Sequence, residues 1–258
     1  MDGRPTGEAV PVARRFDRPP VLLSAASRKA VRQRMMMLRQ QSLLRAARLA
    51  DVSVGALKAY RKDLLESGIA DRLIQRGAGL AYTRELPQGA LLYLLIRSLR
   101  PHRVIETGVR PGYSTAWILS ALRDNDRGEL LSLGPGPTRG RAPGTREAAV
   151  GEFVPPDLRA RWTLVLGNTI DRLREIVPGP RSVDVFFYDN GPDPIRTHLE
   201  LKLAWEALTE SGVLLAHHVE ASPAWAEFCR AQGLPPQIVD PGPPPLGGLS
   251  VRSVTRVS

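Results

Sequence analysis

The sequence predicts an α/β fold: a doubly wound, mostly parallel sheet behind an N-terminal helical extension. Three observations carry this. From residue 103 onward, short apolar runs alternate with helical stretches, a pattern that builds parallel sheets covered by helices on both faces. Val183-Asp-Val-Phe-Phe-Tyr188 is nearly continuous in apolar residues, as a strand buried on both faces requires. Arg103-Val-Ile-Glu-Thr-Gly-Val-Arg-Pro-Gly-Tyr-Ser-Thr115 reads as a strand, a turn with two glycines and a helix start, the arrangement by which such sheets approach ligands.

Taken in order, residues 1–22 are rich in arginine and proline and are expected to form a disordered basic tail. Residues 23–85 are expected to form the helical extension. Ser24 to Ala50 contains no proline or glycine, and Val31, Met35 and Leu38 recur at helical spacing among Arg28, Arg32, Arg34 and Arg39. This reads as one basic helix that covers the main domain or a dimer interface, with a partner-touching amphipathic helix as the alternative. Val52–Gly68 and Ile69–Ile74 read as two further helical pieces. Residues 86–258 form the α/β domain. It opens with an apolar helix, Leu86–Leu99, that stops before Pro101. Strands are expected at Val104–Thr107, Glu129–Leu133, Trp162–Leu166, Val183–Tyr188 and Val213–Val219. Helices are expected at Ser114–Arg123, Ile170–Ile176 and Ile195–Leu208. Pro235–Pro245 reads as a connection and Leu249–Val254 as a final strand.

The charge balance restricts the partners. The 258 residues carry 36 Lys and Arg against 26 Asp and Glu, a net charge of +10. Residues 1–50 hold 11 basic groups and three acids, so +8 sits outside the α/β part. No aromatic residue lies between Phe16 and Tyr60 on which a base could stack. A nucleic-acid partner is therefore not expected. One cysteine, Cys229, rules out an internal disulfide framework or a multi-cysteine metal site, and it reads as a buried structural thiol. No run approaches the ~20 apolar residues of a membrane helix, and a cytoplasmic setting is expected. The N-terminal helices are candidate homodimer material.

The glycine turn is the most informative stretch. Its glycines are spaced GxxxG, with Glu106 two residues before Gly108. That spacing suits a ligand without pyrophosphate, whose cationic end can meet Glu106. A glycine-rich turn with no ligand produces the same pattern. The wider context narrows the choice. Leu92-Tyr-Leu-Leu-Ile-Arg-Ser-Leu-Arg-Pro101, then Val104-Ile-Glu-Thr-Gly-Val109 and Gly112-Tyr-Ser-Thr115, resembles the class I S-adenosylmethionine-dependent methyltransferases. More narrowly, it is similar to a subgroup whose first motif reads ETGVxxGxST. The resemblance continues at Arg161–Gly167, at Val183–Asp189 and at Leu208–Ala216. It implies a Rossmann-like seven-stranded sheet, with S-adenosyl-L-methionine crossing the carboxyl ends of the central strands. It also implies that Glu106, Gly108 and Gly112 lie against the cofactor's amino-acid portion, with Thr107 and Ser114 as further cofactor-binding candidates and Tyr113 either touching the cofactor carboxylate or packing in the core. Gly134, Asn168, Thr169 and Asp189 take the following strand-end positions.

The sequence departs from that family at four strand ends. An acid that binds the ribose is replaced in Ser132-Leu133-Gly134. Two charge-assisted hydrogen bonds of about 1.5–3 kcal/mol each are lost with it, enough to weaken binding by roughly ten-fold or more. A Gly-Asp-Ser pattern becomes Gly167-Asn168-Thr169, where an amide carbonyl can still accept. After the fourth strand only Asp189 survives, and a histidine position holds Pro192. After the fifth, paired aspartates are replaced by His217 and His218.

Asp189, His217 and His218 are accordingly the candidate catalytic residues, and the expected reaction is O-methylation of a small-molecule acceptor. A histidine suits proton removal near neutral pH. A divalent ion is not expected. The metal alternative is a two-histidine, one-carboxylate set of Asp189, His217 and His218, which would favour a transition metal. It would need an irregular strand end, because neighbours on a regular strand face opposite ways. A further alternative is a catalytically degenerate scaffold that binds partners through its basic arm. Trp205 reads as core, and Trp225 is a candidate to face substrate.

Overall fold

The computed structural model of the chain describes residues 23–78, 84–135, 150–177, 179–191 and 193–252. The tail expected to be disordered, Pro192 and residues 136–149 lie outside the described residues.

Two helices stand where one basic helix was expected: α1 (Ala25–Met35) and α2 (Gln40–Leu49). Arg39 is extended at the start of α2, with φ −66° and ψ 137°. The break is made by tertiary packing. It lets Val31 and Met35 on one helix, and Leu43, Ala46 and Ala47 on the other, bury into a single core. One straight helix would present only one apolar stripe. The next expected piece is likewise divided, into α3 (Val54–Ala59) and α4 (Arg61–Glu66). The Ser53 hydroxyl caps α3 by accepting from the Ala56 N–H at 3.0 Å. Gly68, left-handed at φ +62°, separates α4 from α5 (Ile69–Leu73). A π-helical turn follows at Ile74–Ala78.

Helix α6 (Leu86–Leu99) has the predicted bounds, with Pro87 in its first turn. It is buried nearly all round, as its composition demands. Then come β1 (Arg103–Thr107), α7 (Tyr113–Asp124), β2 (Glu129–Gly134), β3 (Trp162–Leu166) and α8 (Thr169–Ile176). After them lie β4 (Val183–Tyr188), α9 (Pro194–Ala207), β5 (Leu208–His217), α10 (Ala224–Ala231), β6 (Ile238–Asp240) and β7 (Leu246–Ser250). Strand β5 begins five residues before its predicted start, where it takes over from α9 across a register irregularity against β4. Strand β6 lies within the stretch that the sequence predicts as connection. It has three residues between two proline-containing stretches, too few to show a period.

The sheet order is β3-β2-β1-β4-β5-β7-β6. The first five strands are parallel, and β7 runs antiparallel to both neighbours. This is the expected Rossmann-like, seven-stranded, mostly parallel sheet. Period-two alternation divides its side chains. Val185, Phe187, Val213 and Leu215 join a core shared with α1–α7. Phe186, Tyr188, Leu214 and Ala216 join a second core with α8, α9 and α10. The N-terminal helices therefore share one continuous core with α6, α7 and a sheet face. Arg97 of α6 ties them further: its buried guanidinium pairs with Asp63 of α4 and lies 4.6 Å over the Tyr60 ring.

Candidate active site

Strand register assembles the site. Thr107 pairs with Tyr188, and Tyr188 with Ala216. The next residues, Gly108, Asp189 and His217, therefore share the carboxyl edge of the three central strands. This is where open α/β sheets bind ligands. A cavity of about 370 Å³ lies at this edge, walled by α6, the glycine turn, α7 and the ends of β4 and β5. Glu85, Gln88, Arg110, Ser114, Asp189, His217 and His218 give it polar groups, and Tyr113, Trp117 and Phe187 give it aromatic walls.

His217 Nδ1 donates to Asp189 Oδ1 at 3.0 Å. Its other nitrogen, Nε2, lies 3.0 Å from Gln88 Oε1. His218 sits at φ +54°, a left-handed conformation uncommon for a residue with a side chain. This turn is the irregular strand end that the adjacent histidines needed. It brings both rings to the cavity with centroids 4.5 Å apart. Burial by itself would lower the His217 pKa, but the hydrogen bond and charge of Asp189, with Glu85 and Glu220, raise it above the usual histidine value. Burial and the neighbouring His217 push His218 below it. Burial raises the Glu85 carboxyl, against the pull of His217.

Ligand atoms of Asp189, His217 and His218 lie within 4.8 Å of one another. Both ring nitrogens of His217 are already committed, to Asp189 and Gln88. A ligating histidine needs one nitrogen with a free lone pair. The arrangement therefore does not fit an ion.

The glycine turn is built differently. Glu106 is fully buried and accepts three hydroxyls: Ser114 at 2.6 Å, and Thr115 and Ser132 at 2.7 Å each. Trp162 Nε1 donates in turn to Ser132 Oγ at 2.9 Å. Burial pushes the Glu106 carboxyl up to about 7, opposed by the three hydroxyls. A Cβ on Gly108 (φ +87°) would lie 2.1 Å from the Asp189 carbonyl oxygen, and one on Gly112 (φ +90°) 2.7 Å from Val154 Cγ2. What these glycines admit is protein. Gly134 lies under Val150 and Leu166. Asn168 caps α8, its side-chain oxygen accepting from Ile170 and Asp171. Among the residues expected around a cofactor, Tyr113, Ser114 and Asp189 line the cavity. Glu106, Thr107, Gly108, Gly112, Gly134, Asn168 and Thr169 are not among the described residues that line it. Trp225 is buried, donating to the Gln237 carbonyl at 3.1 Å, and does not face the cavity. Cys229 is buried, as expected.

Residues 105–219 match a methyltransferase domain. The match spans the glycine turn, Asp189 and both histidines, and leaves out the N-terminal helices, α6, β6 and β7. No curated protein matches the chain in sequence. Similar solved structures include cofactor-bound Rv0187 from MTB, 23% identical over 51% of this chain, with TM-score 0.40. The chain spans 55% of that protein's length. An O-methyltransferase of Bacillus cereus, in complex with SAH, is 18% identical over 75% of this chain and 73% of its own, with TM-score 0.43. The O-methyltransferase TomG of Streptomyces achromogenes, in complex with SAM, is 20% identical over 71% and 68%, with TM-score 0.41.

Gln88, Glu85, Arg110, Trp117 and Phe187 were not singled out from sequence. Gln88 had one legible signal: it is a lone amide at the head of an otherwise apolar helix.

Proposed function

We propose that the chain is an S-adenosylmethionine-dependent methyltransferase that acts on an oxygen of a small-molecule acceptor. The observation that carries this reading is the cavity at the carboxyl edge of β1, β4 and β5, where Asp189, two histidines and three aromatic rings converge inside the part that matches a methyltransferase domain, and Glu85 joins them from the start of α6. Asp189 and Glu85 suit a cationic group, and Tyr113, Trp117 and Phe187 supply low-dielectric walls. These features fit the amino-acid and sulfonium end of the cofactor, with Ser114 and Tyr113 at the head of α7 beside it.

S-adenosylmethionine, when bound, supplies an electrophilic methyl group on sulfur. The chain's own task is to align the acceptor, exclude water and take one proton. His218 is the base in this reading. Its lowered pKa leaves the ring neutral near pH 7, so it can accept the acceptor hydroxyl's proton. His217, tied at both nitrogens, is an orienting group that holds Asp189 against the cavity wall.

A second reading has its own support. Gly108, Gly112 and Gly134 all face protein atoms, and Asn168 is spent on a helix cap. A scaffold that keeps the fold without the cofactor would show these same features. Calorimetric titration with S-adenosylmethionine and S-adenosylhomocysteine decides between them. The enzyme reading expects saturable binding of both. No heat at millimolar ligand would leave the scaffold.

A further inference from the structure

The domain match omits the one side chain that fixes His217 from the far side, Gln88 of α6. Gln88 is buried, and its amide has a defined sense. Its Nε2 donates to Asp240 Oδ2 at 3.2 Å and to the Pro244 carbonyl oxygen. Both are acceptors only, so the nitrogen must face them. The oxygen is thereby turned to His217 Nε2. Asp240 is itself held from α2, where Ser42 Oγ donates to its other carboxylate oxygen at 2.6 Å. Gly242 completes the seat, since a Cβ there would lie 2.3 Å from Gln88 Nε2.

We propose that Gln88 is a positioning residue: anchored by Asp240 and Ser42, it offers His217 only an acceptor and so holds the ring as a double N–H donor between Gln88 and Asp189. The chain Ser42–Asp240–Gln88–His217–Asp189 runs from the N-terminal extension, through the antiparallel end of the sheet, to the cavity. It divides the labour of two adjacent histidines. His217 is pinned and carries a proton on each nitrogen, and His218 remains the ring with an open nitrogen. The charged groups around His217 are Asp189 after β4, Glu85 at the head of α6, and Glu220 after β5. Arg110 of the glycine turn shares the cavity. A fixed imidazolium among them balances the acids without acting as a base.

The test reads the ring directly and does not depend on turnover. Histidine-labelled full-length protein is titrated by nitrogen NMR, with His217 assigned by its loss in H217Q. The expected result at pH 7 is two protonated ring nitrogens on His217. In Gln88→Met the acceptor is gone, and the His217 midpoint should fall by about one pH unit, the size of one modest hydrogen bond. Gln88→Glu keeps an acceptor and should hold or raise the midpoint, a contrast that a merely structural role would not produce. An unprotonated Nε2 in the unaltered protein at pH 7 overturns the proposal, whether or not the variants fold. So does an unchanged midpoint in a folded Q88M protein. Failure of cofactor binding would sink the methyltransferase reading and leave this result standing.

Discussion

The carboxyl end of β1 and the ends of β4 and β5 lie side by side, yet they are built in opposite ways. At β1, Glu106 is sealed under three hydroxyls, and the glycines are needed because the Asp189 backbone and Val154 press against them. At β4 and β5, Asp189 and the histidines face a cavity and take partners from distant parts of the chain. The β1 turn carries the motif that is easiest to recognise. The cavity lies beside it, and its His217 takes a partner from α6 that the β6–β7 connection holds in turn. The glycine motif therefore marks a tightly packed frame beside the cavity.

Breaking the sealed side should have the largest effect. Gly108→Ala places a Cβ against backbone at a positive φ, where neither side can yield. A loss of about 4 kcal/mol or more is expected, read as a large drop in the denaturant midpoint. Were the glycine needed only to admit a ligand, the variant would keep its stability and lose binding.

On the open side, His218→Ala should lower kcat by about 10²–10⁴-fold, the usual worth of a general base, with cofactor affinity unchanged by calorimetry. Equal turnover would remove His218 from the base role.

Both sides lose stabilisation as pH rises, each through its own window. Glu106 binds its proton more tightly folded than unfolded, so its contribution favours the folded state below the unfolded value of 4.5 and is lost as pH rises through about 7. That amounts to roughly 3 kcal/mol between the two limits. Thermal denaturation across this window should show a falling contribution in the native protein that Glu106→Gln removes. His217 has a raised pKa as well, so its stabilisation is complete below 6.5 and fades as pH climbs through its folded value. In turnover, activity should rise as His218 loses its proton below 6.5 and fall as His217 loses its own above 6.5. The result is a bell-shaped profile. A flat alkaline limb would contradict the role given to His217.

Much of the frame was legible in the sequence. β3, β4 and α6 have their predicted bounds because each is a run whose composition permits one structure. The break between α1 and α2 was hidden, since Met36–Arg39 holds no proline or glycine and only tertiary packing places it. β6 was too short to show a period. Asp189, His217 and His218, which the sequence groups as candidates, lie together at the cavity. Gln88 was missed because it lies 129 residues before His217, with nothing local to join them. The glycines were seen, but a sequence shows only that something approaches their backbone. Protein and ligand leave the same mark.

The contrast between the two sides comes down to where a ligand makes its contacts. S-adenosylhomocysteine titrated into the native protein, Asp189→Ala and Asn168→Ser measures this directly. Serine keeps the helix cap at 168, so that variant changes only the group offered to a ligand. Asp189→Ala is expected to weaken binding by about ten-fold or more, and Asn168→Ser to leave it unchanged. Binding that survives Asp189→Ala and is lost with Asn168→Ser would place the ligand at the ends of β2 and β3 instead of at the ends of β4 and β5.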